Sequence, residues 1–160
     1  PGKYIVRPMI NLLGMGRGAK IVQLDKCTLS LPDGYFWCEV FTGRHLSVDY
    51  KCTSQVLCVE GFRSPDAPLW KWSKWVRTED DVPLPDIALP LLSNHSYFNV
   101  EYIGGKVIEI HLRHNPDWRY HSAREITPVF KGEPVDLPDN SYFLSSPDFE
   151  RLGFILSSSR

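Results

Sequence analysis

The sequence predicts an α+β fold that is rich in strands, with mainly antiparallel sheets and few short helices. Proline fills 13 of the 160 positions, about 8% against a usual ~5%, and a proline inside a helix removes a backbone donor. Aromatic residues, which favour strands, make up 12% of the chain. Short apolar runs also alternate with glycine, proline and asparagine turn signals along most of the sequence. Together these observations favour short strands with irregular connections over long helices.

Size and charge restrict the class of protein. The 160 residues are about the length of one domain, and 42% apolar residues are enough for a core, which excludes a disordered chain. The 18 Lys and Arg residues nearly balance 19 Asp and Glu residues, so neither nucleic acid nor a membrane surface is an expected partner. No apolar run approaches the ~18 residues that span a bilayer.

The four cysteines include no CxxC pair: Cys27, Cys38, Cys52 and Cys58. They fit reduced thiols in a cytoplasmic protein, and two disulfides in a secreted protein are the open alternative.

The first half of the chain predicts a series of strands. Two of them, at 4–10 and 19–24, flank the glycine-rich stretch 14–18. A Pro-Asp-Gly turn then leads to a predicted hairpin, in which the segments 35–41 and 45–50 are joined by Thr-Gly-Arg. Two further strands are predicted at 55–62 and 69–76.

Helical structure is expected in two short places. An acidic, proline-rich surface loop at 78–85 is followed by one or two helical turns at 86–93. Near the end of the chain, 148–156 predicts a short helix capped by Ser146 or Asp148. The C-terminal residues otherwise carry no pattern with a chemical function, and we expect them to pack beneath the sheet or to form an oligomer contact.

The clearest pattern is a hairpin whose second strand carries a row of polar residues. The segments 97–103 and 106–113 flank a glycine pair, which is a strong hairpin signal. With a side-chain period of two, Glu109, His111 and Arg113 share one face. A carboxylate, an imidazole and a guanidinium in one row can bind a metal and the phosphates that accompany it, although an arbitrary hairpin more often has a simple solvated face. The other face is expected to pack inward through Ile108, Ile110 and Leu112.

The register of this hairpin separates the two interpretations. A two-residue turn pairs Glu101 with Ile108, on the apolar side. A three-residue loop instead places Glu101 opposite Glu109 and Asn99 opposite His111, and a glycine pair suits such a loop. In that register two carboxylates and an imidazole converge, and like charges so close favour a cation between them.

Two features near the start of the chain are candidates for phosphate contacts. Gly14, Gly16 and Gly18 form no P-loop, because no Gly-Lys-Ser/Thr follows. Two interpretations remain for this segment: a glycine loop whose backbone amides close over phosphates, or an ordinary loop between two strands. Arg7 is a lone cation in an apolar strand, and burial without a partner is costly. We therefore expect Arg7 to meet an anion, either in a salt bridge or on a ligand phosphate.

The order of these features resembles the ATP-binding part of the ATP-grasp superfamily, the carboxylate–amine ligases and their relatives, over roughly residues 3–115. The most specific part is Glu101 together with Glu-Ile-His-Leu-Arg at 109–113, which resembles the family's paired acidic residues and Glu-x-Asn-x-Arg strand. The resemblance implies that Glu101 and Glu109 are metal ligands and that Arg113 contacts phosphate or an acyl phosphate. His111 stands in the usual Asn place as a third ligand, and imidazole suits Mn²⁺ or Zn²⁺ better than Mg²⁺.

The same resemblance assigns residues to the nucleotide. Arg7 stands where the family commonly has a phosphate-binding lysine, and His45 where many relatives have a glutamate after Gly-Arg. The stretch Glu39-Val40-Phe41 resembles the hinge segment that meets the adenine. The mobile loop over the triphosphate is represented by Gly14, Gly16 and Gly18.

What the resemblance implies is a single ATP-grasp-like domain at 1–160, with two small lobes at approximately 1–40 and 41–160. Its ligands would be ATP with Mg²⁺ or Mn²⁺ and an unknown small carboxylate, and its activity would be that of a carboxylate–amine/thiol ligase acting through an acyl phosphate. The domain that precedes this region in the family has no counterpart in the 160 residues. A minimal or degenerate member is therefore expected, or one whose site is completed by a partner chain or a second copy.

The alternative is a non-catalytic, β-rich interaction module. Trp70 and Trp72 alternate on one face of the predicted strand, close to Trp75 and interleaved with lysines. Exposed, they would offer a protein contact, whereas the near-neutral charge argues against stacking on nucleic acid. The simpler interpretation is that these tryptophans belong to the core.

Overall fold

The computed structural model describes residues 1–10, 16–25, 30–118 and 122–158, and in these ranges the protein is built almost wholly from strands. Every strand pair in the described part is antiparallel. Helical structure there consists of the four-residue helix α1 (Leu89–Leu92) and two 3₁₀ turns at Asp86–Ala88 and Pro116–Trp118. The predicted strand-rich, antiparallel class is confirmed. None of the helices in these ranges has the length and apolarity needed to cross a bilayer.

The strands divide between two compact units. The first unit comprises residues 1–42 and 63–72, and the second comprises 43–62 and 73–160. The first contains a three-stranded sheet in the order β2-β1-β3, formed by β1 (Gly2–Pro8), β2 (Lys20–Leu24) and β3 (Tyr35–Glu39). Val6, at the centre of β1, is buried in this unit.

The second unit contains an eight-stranded sheet in the order β10-β11-β9-β6-β5-β4-β7-β8. Its strands are β4 (His45–Lys51), β5 (Ser54–Phe62), β6 (Lys74–Arg77), β7 (Tyr97–Ile103), β8 (Lys106–His111), β9 (Glu125–Phe130), β10 (Ser141–Asp148) and β11 (Arg151–Ser157).

The main core of the second unit lies on one face of its central strands. Val48 and Tyr50 of β4 pack there beside Phe98, Val100 and Tyr102 of β7. The helical turns predicted at 86–93 are confirmed, and they cover this face with Ala88 and Leu92. The buried Tyr50 and Tyr102 hydroxyls lie 3.0 Å apart, and Tyr50 also donates to the carbonyl of Val82 at 2.7 Å. Both phenols are therefore satisfied where water is excluded.

The hairpin predicted between 35–41 and 45–50 is wrong. The two strands lie in different sheets, because β3 pairs with β1 whereas β4 pairs with β5 and β7. Gly43 has a φ of +120°, and a Cβ placed there would lie 2.8 Å from the Cα of Gly104. The glycine thus permits a close backbone approach within the second unit and does not make a reverse turn.

The terminal helix predicted at 148–156 is also wrong, because this segment forms most of β11. Gly153, Phe154, Ile155 and Leu156 are all buried, since β11 lies between β9 and β10. A strand that is covered on both faces is apolar at successive positions, and periodicity alone does not separate such a run from a buried helix. The C-terminal residues consequently extend the sheet and do not pack beneath it.

The apolar face predicted for β8 does not pack inward. Ile110 is 37% exposed and Leu112 is 60% exposed. The reason is that β8 is the edge strand of the eight-stranded sheet, and the helical turns cover β4, β5 and β7.

Three cysteines fall in the described residues, and all three are free thiols as expected: Cys38, Cys52 and Cys58. Cys27 lies outside those residues.

Candidate metal centre

Polar side chains occupy the face of β4, β7 and β8 that lies opposite the aromatic core. Antiparallel pairing sets Ser47 opposite Glu101 and Asp49 opposite Asn99. Because side chains alternate along each strand, these residues share one face with the remaining members of the row. The row consists of His45, Ser47 and Asp49 on β4, Asn99 and Glu101 on β7, and Glu109 and His111 on β8.

The β7–β8 hairpin combines features of both predicted registers. Its turn has two residues, Gly104 and Gly105, with φ of +56° and +78°, values that suit the primed turns of two-residue hairpins. Beyond the turn the pairing shifts, so that Glu101 lies opposite Glu109 and not opposite Ile108. The additional residue is accommodated by a β-bulge, a feature that redirects side chains near functional sites.

The bulge brings three potential metal ligands together. One ligand atom from each of Glu101, Glu109 and His111 lies within 4.8 Å of the others. The Nε2 atom of His111 lies 3.5 Å from Oε1 of Glu101 and 3.8 Å from Oε2 of Glu109. Ligands that sit about 2.1 Å from a divalent ion are separated by ~3 to ~4 Å, so only a small closure would place all three on one cation. The sequence predicted this trio from the pattern of the hairpin.

Glu101 lies at the centre of the cluster. Burial by itself would raise its pKa, but interactions with His111 and His45 lower the pKa to about 2. The carboxylate is therefore ionised at neutral pH, which is the form that binds a cation.

His45 is the member of this cluster whose position the sequence did not indicate. Its Nε2 atom lies 2.9 Å from Oε2 of Glu101, and its side chain is 10% exposed. The only available signal was the period of two along β4, which places His45 on the same face as Asp49.

A second polar cluster fastens the segment after β8 to the same face. Oδ1 of Asp49 accepts hydrogen bonds from the Asn99 side chain and from the backbone N–H of Asn115, each at 2.9 Å. The Ser47 hydroxyl accepts from the side-chain amides of both asparagines, at 2.8 Å from Asn99 and 3.2 Å from Asn115. Nδ1 of His114 lies 3.7 Å from Oδ2 of Asp49, so this half-buried histidine belongs to the cluster.

Arg113 lies two residues beyond the end of β8. Its side chain is exposed and donates from Nη1 to the carbonyl of His114 at 3.0 Å. The polar row of the strand therefore ends at His111, and the predicted shared face does not extend to Arg113.

In the first unit, the candidate phosphate residues lie on β1 and in a turn before β2. The guanidinium of Arg7 lies 5.7 Å from the centre of the Phe36 ring, and its side chain is half-buried. The contact made within the described residues is thus cation–π, where the sequence predicted an anion. Gly16 and Gly18 have φ of +62° and +83° in a turn, and Gly14 lies outside the described residues.

The candidate adenine segment follows directly from β3. Glu39 is the last residue of that strand and is exposed. Val40 and Phe41 come next and are half-buried in the first unit.

No family model, curated protein or solved structure matches the chain. The resemblance to the ATP-grasp superfamily therefore stays a prediction from the sequence, and the candidate metal centre rests on the geometry of β7 and β8.

Trp70 and Trp72 do not form the strand face that was predicted for a β-rich interaction module. Of Trp70, Trp72 and Trp75, only Trp75 is in a strand, where it is buried and meets the His45 ring edge-on at 5.4 Å. Trp70 and Trp72 lie outside β6 and are half-buried, and the guanidinium of Arg17 lies 4.7 Å from the Trp70 ring centre. The predicted strand at 69–76 is correct only from Lys74 onward.

Proposed function

We propose that the chain is a divalent-metal-dependent, nucleotide-binding domain of the ATP-grasp type. The observation that carries the proposal is the convergence of Glu101, Glu109 and His111 on one face of the β7–β8 hairpin. Two carboxylates and an imidazole within 4.8 Å provide hard oxygen ligands and one borderline nitrogen ligand. Such a set favours Mn²⁺ and also accepts Mg²⁺.

A three-ligand site suits a metal that also binds phosphate. A Mg²⁺ or Mn²⁺ ion takes about six ligands, so three protein ligands leave positions for water and phosphate oxygens. When bound, the metal would neutralise phosphate charge. The protein would supply the ionised carboxylates that hold the metal.

The resemblance also supports a ligase step. A substrate carboxylate oxygen would bond to the γ-phosphorus while the bond from that phosphorus to the bridging oxygen breaks, which yields an acyl phosphate and ADP. An amine or thiol would then displace phosphate from the acyl carbon. The residue proposed to contact the transferred phosphoryl group is Arg113, whose exposed side chain is available to a ligand.

Thermal unfolding with metal and ATP tests the proposal. A ligand at 100 times its Kd stabilises the fold by about 2.7 kcal/mol, or about 5 to 10 °C for a protein of this size. We expect such a rise in Tm with Mn²⁺ and ATP, and its loss in Glu109→Gln. The exposed Glu79 provides the matched control, and Glu79→Gln should retain the rise. The absence of stabilisation at millimolar ATP with either Mn²⁺ or Mg²⁺ would contradict the proposal.

A further inference from the structure

His45 is packed beside the proposed metal ligands. It begins β4 directly after Arg44, whose guanidinium is bound by Glu60 at 2.7 Å and Asp80 at 2.6 Å. The His45 ring is 10% exposed and is met edge-on by Trp75 at 5.4 Å. The edge-on contact with Trp75 and the burial of the ring restrict how far the imidazole can turn away from β7.

The two oxygens of Glu101 have different partners. Oε2 lies 2.9 Å from Nε2 of His45, which is within hydrogen-bond distance. Oε1 lies on the side of His111, 3.5 Å from its Nε2. Oε2 of Glu101 is thus occupied by His45, and Oε1 is directed toward the other two proposed ligands.

We propose that His45 is a positioning residue for the metal centre. It donates its Nε2–H to Oε2 of Glu101 and thereby presents Oε1 beside Glu109 and His111. This inference rests on the proposed metal site. It also assigns His45 a role other than ligation, since the cluster of ligand atoms comprises Glu101, Glu109 and His111.

The physical reason is the freedom of a glutamate side chain. An unrestrained Glu samples several rotamers, and a metal that binds it must offset the loss of that freedom. A partner that fixes one oxygen in advance reduces this loss, and removing such a partner from a metal site typically weakens metal affinity by about 10–100-fold.

Direct titration with Mn²⁺, followed by calorimetry, measures the effect. We expect His45→Ala to weaken Mn²⁺ binding by about 10–100-fold. In His45→Gln the amide N–H can replace the imidazole donor, so affinity should remain within about threefold of the wild-type protein. His95→Ala, a half-buried histidine outside the cluster, is the matched control and should bind Mn²⁺ as the wild-type protein does.

The results distinguish positioning from ligation and from failure of the site itself. If the wild-type protein does not bind Mn²⁺, the proposed function fails and this inference fails with it. If the wild-type protein binds but His45→Ala binds equally well, only the positioning role is overturned. A loss in His45→Gln as large as that in His45→Ala would also overturn it. Where His45→Ala does not fold, His45→Leu, which keeps a packed side chain but has no donor, takes its place, and wild-type affinity in that variant would overturn the positioning role.

Co²⁺ provides a spectroscopic readout that separates a positioning residue from a metal ligand. A histidine bound to Co²⁺ shows a strongly shifted ring N–H proton resonance. We expect one such resonance, from His111, in both the wild-type protein and His45→Gln. A second shifted resonance that disappears in His45→Gln would identify His45 as a ligand and overturn the positioning role.

Discussion

The Asp49 carboxylate accepts a hydrogen bond from the backbone N–H of Asn115 at 2.9 Å, and this contact fastens the segment after β8 to the face that carries the proposed metal ligands. Asn115 lies four residues after His111, so the contact fixes the exit of the strand that carries two of the three proposed ligands. The carboxylate is buried, and Asn99 donates to the same oxygen. Asp49 therefore links β4, β7 and the segment after β8.

Asp49→Ala should destabilise the protein by about 2–3 kcal/mol. The substitution leaves two donors without their acceptor, one on the buried Asn99 and one on the half-buried Asn115, and hydrogen bonds to a charged group contribute about 1.5–3 kcal/mol. Urea unfolding in the presence of EDTA measures this free energy without a contribution from metal. Asp139, an exposed aspartate of the same unit, provides the control, and Asp139→Ala should change stability little. Equal stabilities of the two variants would contradict the role given to Asp49.

Acidification should destabilise the fold through Glu101. Burial would raise the pKa of this carboxyl group, but His111 and His45 lower it from 4.5 to about 2. Since the unfolded chain takes up the proton near the ordinary value, the contribution of Glu101 is complete above about pH 4.5 and is lost as the pH falls toward 2. The loss amounts to about 3 kcal/mol at most.

The pH dependence is measured by urea unfolding at pH 6 and pH 3 in EDTA. Glu101→Gln should lose less stability between these two pH values than the wild-type protein, because its side chain does not titrate. Glu79→Gln should follow the wild-type protein. A decline of the same size in Glu101→Gln would mean that other groups account for the acid sensitivity.

Arg44→Lys should raise the pKa of Asp80. Hydrogen bonds from Arg44 and then from Thr78 lower the pKa of this carboxyl group, and the two Arg44 nitrogens lie 2.6 and 3.2 Å from its oxygens. Lysine offers a single point of contact and cannot keep the two-pronged pair. Carboxyl NMR titration follows Asp80 directly, and Arg124→Lys, at an exposed arginine, should leave its pKa unchanged. An unaltered titration of Asp80 in Arg44→Lys would contradict this account.

The local part of the candidate site could be predicted from the sequence. The alternation from 97 to 113, interrupted by two glycines, determines which side chains face each other within one hairpin. It thus brought Glu101, Glu109 and His111 together. Each of the two predicted registers is correct for part of the hairpin. The turn has two residues, as in the first register, but beyond the bulge Glu101 lies opposite Glu109, as in the second. No residue type marks that bulge, so the sequence alone left the register open.

The remainder depends on contacts between distant segments. His45 and Asp49 join the site only because β4 pairs with β7, about 50 residues further along the chain. Nothing local specifies which strand lies beside which, and for the same reason 35–41 and 45–50 were mistaken for partners. The C-terminal strands were missed for another reason, because burial on both faces removes the alternation by which a strand is recognised.

The bulge at Ile108 leads to a prediction about register. Removal of one residue from a strand ordinarily moves every later side chain to the opposite face. Ile108 is the additional residue between the pairs Tyr102–Val107 and Glu101–Glu109. Its deletion should therefore leave Glu109 opposite Glu101, with a regular ladder in place of the bulge.

Deletion of Ile110, two positions further along the same strand, is the matched control. It would bring His111 next to Glu109, so the imidazole would point to the opposite face and leave the cluster. We expect the protein lacking Ile108 to retain Mn²⁺ binding within about tenfold of the wild-type affinity. All three ligands remain in this variant, so the loss should not exceed the lower end of the about 10–100-fold that follows removal of a residue supporting a ligand. The protein lacking Ile110 should show no Mn²⁺ binding at the same concentrations, although circular dichroism should report a folded sheet, since β8 is an edge strand. If both deletions abolished binding while the sheet stayed folded, the ligand geometry would depend on the bulge itself. If neither did, His111 would not be a ligand.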